Sequence, residues 1–425
     1  MMGFSSMDDL VNQVTTNGKK VRTDWNKVVT QVQTSGAGRW FELFTATGNP
    51  TNGYWGNYVR NSGFDSEAGW TGGGAGGWAW NIAGTYVHTV GTTGSLTQTS
   101  GTTLENGVVY TVIITTSSVS GTVGLTVSLG GGTAGTAITT ATTTIQAVTA
   151  GATQEINITC NTAFGCTIDN FYVIRGAVNG RTPGFKPMSA ETDQGALRPG
   201  AVTGGTATKH LLNMSAMTSG GTVVPTTLML VDLLGVYARI DQNYATSITL
   251  ANTLTLPRYT DGAGVMAFNC VFPTVTSTGA HNMLITYTNQ DNVGSRAMPQ
   301  TVAATVSALS THIHHSGTAA NNVGPFFPLQ SGDSGVKKID TYQQTLAGGT
   351  NVFVNLVLCK PIMSIPITTQ YVLAERDLLN QFPSLPLIQE SAATSGACLA
   401  WIQYAGAATP ASTNFFGSLE FAWGG

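Results

Sequence analysis

Between Asn61 and Arg175 lie short alternations of apolar residues with threonine, such as 108–115 and 123–129. Gly-rich and Asn-Gly turns interrupt these runs. Period-2 patterning buries one face of each strand, and short runs at this density predict a β-sandwich. The stretch opens with Gly63-Phe64-Asp65-Ser66-Glu67-Ala68-Gly69-Trp70 and closes with Cys166-Thr167-Ile168-Asp169-Asn170-Phe171-Tyr172-Val173-Ile174. It reads as a sealed cassette set into another protein. The expected organisation is an N-terminal piece over 1–57, an inserted jelly roll over 58–176, a Gly/Pro-punctuated linker over 177–207 and a second β-sandwich over 208–425, with 1–57 packing against 208–425.

Charged residues make up 9% of the 425 residues, against about 25% in an ordinary soluble chain. Hydrophobic content is 42%, so Thr, Ser, Asn and 52 glycines stand where charge is missing. Disorder is not expected, because disordered chains combine high charge with low hydrophobicity. Such a surface suits a β-rich protein covered by neighbours. A net charge of −3 with only 18 Lys+Arg argues against nucleic acid, which demands clustered cations. No run of 18 apolar residues exists, so no membrane span is expected. The first ten residues lack a basic and apolar leader pattern. Five scattered cysteines predict free thiols, as in a bacterial cytoplasm.

Helical spacing begins at Ser6 and takes in Leu10, Val11 and Val14, then Trp25, Val28, Val29 and Val32, with a break at Asn17-Gly18. Strands are expected over 226–240, 247–256, 265–272, 283–288, 351–359 and 415–423. A late helix is expected over 374–380, stopped by Pro383. The fold class is all-β: two β-sandwich or jelly-roll domains with a short N-terminal helical segment.

The opening and closing motifs of the cassette resemble the first and last strands of jelly-roll carbohydrate-binding modules. That resemblance implies a structural calcium held near Asp65, Glu67 and Asp169, since calcium takes six to eight hard oxygens and backbone carbonyls can supply several. Sugar binding requires exposed aromatic rings, and Trp70, Trp78, Trp80 and Tyr86 are the candidates. The same alternation also fits a buried core stripe.

A second resemblance covers 1–57 joined to 181–425. An MDDL-type helix, Gly38-Arg39-Trp40, His210-Leu211-Leu212, Leu256-Pro257-Arg258-Tyr259-Thr260-Asp261-Gly262, Gly324-Pro325-Phe326-Phe327-Pro328-Leu329, Gly332-Asp333, Pro383-Ser384-Leu385-Pro386 and a terminal aromatic strand follow the order seen in a group of tailed-phage virion proteins. Two further patterns carry chemistry. Gly332-Asp333-Ser334-Gly335 matches the nucleophile loop of chymotrypsin-like proteases, but the histidines lie too near in sequence and a turn between strands is expected instead. His312 and His314 share one face of a strand and could join a third ligand on a metal, or form a polar edge.

The expectation is a non-enzymatic structural protein of a tailed-phage virion, assembled in the host cytoplasm. It would be a decoration or cement protein on the outer head surface, with a projecting sugar-binding-like domain. The alternative is a tail fibre, spike or adaptor. Its partners would be the major capsid protein or other virion proteins, sister copies in a homo-oligomer (a trimer) and host cell-surface polysaccharide, with no nucleic acid and no membrane.

Overall fold

The computed structural model describes residues 4–30, 38–51, 53–73, 77–197, 208–242, 245–272, 275–276, 283–298, 307–308, 311, 313–314, 324–344, 353–390 and 396–424. It is an all-β protein with one α-helix among the described residues, Met7–Thr15, and it divides into two compact units, 1–55 with 187–425 and 56–186. The first is called the scaffold below and the second the insert.

The Ser6 hydroxyl caps the helix by accepting the Asp9 amide proton at 3.1 Å, and Asp8 and Asp9 sit where the helix dipole favours acids. The helical reading ends there. Residues expected to continue it form a strand, Lys20–Val28, in which Trp25 and Lys27 are buried and Arg22 and Asp24 exposed. Lys-Val-Arg-Thr-Asp-Trp-Asn-Lys-Val alternates at period 2, and sheet pairing selects that period over the weaker helical one. Val32 lies outside the described residues.

This strand lies inside a sheet ordered Ala374–Asp377, Thr208–Thr218, Asn414–Ala422, Lys20–Val28, Thr47–Asn49. Its ladder with Asn414–Ala422 runs from Lys20 opposite Ala422 to Val28 opposite Asn414. A second sheet holds Arg39–Glu42, Leu399–Ala405, Thr226–Asp241, Phe353–Ile367, Met266–Phe272 and Ile313–His314 in that order. Trp25 of the first sheet meets Trp401 of the second with ring centroids 4.9 Å apart. Leu211, Met214, Leu228, Leu230, Ile365, Phe415, Leu419 and Phe421 fill the same core.

The expected helix at 374–380 is instead an edge strand, Ala374–Asp377, followed by a 3-10 turn, Leu379–Gln381. Pro383 leaves too few residues for a stable helix, and the edge of Thr208–Thr218 offers hydrogen bonds and a contact from the Asn213 amide to Glu375 at 2.7 Å. Of the strand expected at 247–256, only Ile248–Thr249 forms. Asn252 accounts for the rest, since it bonds Tyr237 Oη at 2.6 Å and the carbonyls of Leu250 and Ile339, fixing a loop.

Several of the scaffold's few charges are buried in pairs. Arg258 makes a bidentate pair with Asp232, at 2.6 and 2.9 Å, and also donates to the carbonyls of Met188 and Leu233. The Cys398 amide donates to Asp232 as well, so the Asp232–Arg258 pair ties together the segments of Met188, Asp232, Arg258 and Cys398. Lys209 pairs with Glu390 at 3.2 Å. All five cysteines are buried free thiols.

The insert is a sandwich. One sheet is ordered Thr143–Thr149, Val109–Gly121, Phe164–Arg175, Thr85–His88, Trp78–Asn81, and the other Thr71–Gly73, Gly94–Thr99, Glu155–Cys160, Leu125–Leu129. Its core gathers Tyr110, Val112, Ile114 and Phe171 with Leu96, Val127, Ile156 and Ile158. The scaffold core passes from Ala46 directly to Leu197, while the insert core runs from Tyr58 to Val173.

Two buried scaffold groups predict a pH dependence. Lys27 donates to the carbonyls of Ala46 at 3.2 Å and Pro50 at 2.9 Å, and burial lowers it to about 7. Glu42 accepts from the amide and hydroxyl of Thr45, and burial raises its carboxyl from 4.5 to about 7. Glu42 therefore contributes stability that is full below about pH 4.5 and lost as pH rises through 7. Lys27 acts oppositely, losing stability as pH falls from 10.5 through 7. Chemical unfolding at pH 5 and pH 7 should show the wild type losing more stability with rising pH than Glu42→Gln. Equal losses would contradict the assignment.

Candidate functional site

Three of the aromatic candidates of the insert are core residues, which corrects their reading as an exposed sugar platform. Trp70, Trp78 and Tyr86 are 6%, 8% and 2% exposed, and Trp80 is half-buried against the same core. Each of the three buried rings has both a ring contact and a hydrogen bond. Phe64 packs on Trp70 at 5.4 Å and on Tyr86 at 5.3 Å, Trp70 meets Phe171 at 5.8 Å, and Trp78 meets His88 at 5.0 Å. The indole N–H groups of Trp70, Trp78 and Trp80 donate to the carbonyls of Asn61, Gly94 and Phe64, and Tyr86 Oη donates to the carbonyl of Glu67. The bonds from Trp70, Trp80 and Tyr86 pin the opening loop, which the Asn61 amide also ties through the carbonyls of Ser66 and Ala68. Neither a free ring face nor a free donor remains at the three buried positions.

Asp65, Glu67 and Asp169 are exposed. Burial raises the Tyr172 phenol, and the negative charges of Asp169 and Asp65 raise it further, so these two acids share one neighbourhood. Glu67 acts instead on Tyr86. Among the described residues, no three His, Cys, Asp or Glu side chains converge as metal ligands. The three acids implied for calcium are therefore not gathered as one set of ligands, and backbone carbonyls would have to supply most of the six to eight oxygens calcium takes. His312 lies outside the described residues. His314 is in strand Ile313–His314, opposite Asn269.

Gly332–Gly335 is a turn leading into strand Val336–Gln344. Asp333 accepts from Arg296 at 2.9 and 3.1 Å, from Asn289 at 2.8 Å and from Tyr287, which together hold its carboxyl down to about 2. The amides of Ser334 and Gly335 donate to Gln290 Oε1. The motif clamps a hairpin.

A different concavity escaped the sequence reading. On the outer face of the first scaffold sheet a groove of about 540 Å³ is lined by Arg22, Asp24, Asn26, Asn49, Asn414 and Phe416, with Trp25 and Leu373 at its margins. Alternation puts Arg22, Asp24 and Asn26 on the side opposite the core, and register places Phe416 across from Asn26. Its two main contributors stand at opposite ends of the chain, so no local motif marks it.

No known protein-family model matches the chain, and no curated protein matches it. Solved structures give weak likenesses. Arabinofuranosyltransferase AftD from Mycobacteria (mutant R1389S) matches at 10% identity over 93% of this chain and 39% of that one, with a TM-score of 0.23. The infectious bursal disease virus Gx strain structure matches at 12% identity over 96% and 80%, with a TM-score of 0.16. The chain thus spans 39% of the transferase's length. Scores this low carry no argument about fold or function.

Burial of the aromatic stripe gives a direct prediction. Trp70→Ala should lower the stability of the insert by about 3–5 kcal/mol, the usual cost of emptying a core aromatic site. Calorimetric melting of the full chain measures it. An unchanged melting profile would restore Trp70 to the surface.

Proposed function

We propose that this protein is a structural, non-enzymatic component of a tailed-bacteriophage particle, a decoration or cement protein on the outside of the head. In this reading it acts as a homotrimer against the major capsid protein, and the insert adsorbs weakly to host cell-surface polysaccharide. What supports this most is the use made of the residues that carry the virion-protein resemblance. Trp40 packs on Tyr404 at 5.2 Å, His210 on Phe4 at 5.1 Å, Arg258 clamps Asp232, and Asp333 clamps Arg296. Every one of these serves the scaffold, as expected where mechanical integrity is the task.

Surface chemistry supports the same reading. Uncharged polar side chains bury against neighbours without the heavy desolvation cost of charges. With 9% charged residues, a surface of this kind is suited to broad contact with shell subunits and sister copies. Weak sugar contacts multiplied over many copies would give firm adsorption.

Cryo-imaging of the assembled particle with the protein labelled tests the reading. Density over the head, in numbers that follow the shell lattice, is the expected result. A few copies confined to the tail would favour a fibre, spike or adaptor, and absence from particles would overturn both.

A further inference from the structure

The outer groove of the scaffold has chemistry that sheet packing does not use. We propose that it binds a neutral polyhydroxylated ligand, a hexose unit of a glycan. This assignment concerns the scaffold alone and does not rest on the virion reading.

Size is the first argument. About 540 Å³ falls within the roughly 300–1,000 Å³ that holds a small ligand. Its lining is the second. Asn49 and Asn414 supply amides, Asn26 its amide nitrogen (its Oδ1 accepts from the Asn49 backbone N–H), and Phe416, half-buried opposite Asn26, supplies a ring for the apolar face of a sugar. Leu373, 52% exposed, extends that apolar edge.

Charge is the third argument. Arg22 Nε donates to Asp24 at 2.8 Å, Arg22 Nη1 stands 3.9 Å from Glu420, and Lys20 pairs with Glu420 at 2.7 Å. Lys20 and Arg22, the exposed cations of this strand, are matched by carboxylates, so a phosphate or an acidic sugar gains little. A purely apolar ligand would leave the amides and Asp24 facing hydrocarbon.

An unsatisfied atom is the fourth. One lining residue, Asn414, holds a buried amide Oδ1 without a hydrogen-bond partner. Buried polar groups are nearly always paired. This atom is an acceptor, and a ligand hydroxyl can donate to it. A ligand dense in hydroxyls therefore suits Asn414 and the neighbouring amides better than an anion does.

The test uses the full chain on an array of neutral gluco-, galacto- and manno-oligosaccharides, with sulfated and sialylated ones as comparators. Calorimetric titration of the strongest neutral binder follows, on wild type, Phe416→Ala and the R22A/D24A double variant. The expected result is binding of a neutral oligosaccharide, weakened about tenfold by each variant. The double variant should keep the wild-type melting temperature, since Arg22 and Asp24 are 59% and 72% exposed. Should Phe416→Ala fail to fold, the double variant alone decides. Failure to bind any neutral member, binding of acidic members only, or affinity unchanged in the folded variants would overturn the proposal.

Discussion

The ladder between Lys20–Val28 and Asn414–Ala422 is the interaction on which the scaffold depends. It joins the two ends of a 425-residue chain in the interior of one sheet. Trp25, carried on that ladder, then reaches Trp401 on the facing sheet. Without this pairing the N-terminal strand keeps only the short Thr47–Asn49 beside its last three residues, and the core loses a wall. The pairing is non-local, so its closure entropy must be offset by the apolar area buried behind it. Leu211, Met214, Phe415, Leu419 and Phe421 supply that area.

A chain closed in this way can carry a long insertion at little cost. Gly53 and Gly195 stand on either side of the insert in sequence, yet a Cβ on Gly195 would lie 2.6 Å from the Gly53 nitrogen and 2.4 Å from the Phe44 carbonyl oxygen. Gly195 takes φ +89°, a conformation glycine adopts freely. The chain thus leaves and rejoins the scaffold at nearly one point, and the loop-closure penalty grows only slowly with what lies between. Charge scarcity has its counterpart inside. Arg258 with Asp232 and Lys209 with Glu390 tie segments far apart in sequence, and removing one partner of such a pair leaves an uncompensated buried charge.

Much of the fold was legible because alternation is a local property. The runs at Val109–Gly121 and Leu125–Leu129, and the terminal aromatic strand, declared themselves as strands. Where two periods competed, as around Trp25, or where Ala-Glu-Arg-Asp favoured a helix in isolation, tertiary pairing decided and local propensity misled. The candidate site was much less legible. Alternation shows that Trp78 and Trp80 share a face, but not which face looks inward, and the buried side took Trp70, Trp78 and Tyr86. The groove was invisible because Arg22 and Phe416 become neighbours only after the ends pair. The Glu42 and Lys27 environments likewise depend on burial that no spacing reveals.

Excision tests the central claim most directly. Residues 56–186 would be removed, Trp55 joined to Pro187 through a short Gly-Ser linker, and the product followed by near-UV circular dichroism and thermal unfolding. The account predicts a cooperatively folded protein that retains the tertiary signal of the Trp25–Trp401 core. A product without fixed tertiary structure would contradict it, because the scaffold would then depend on the insert for its own interior.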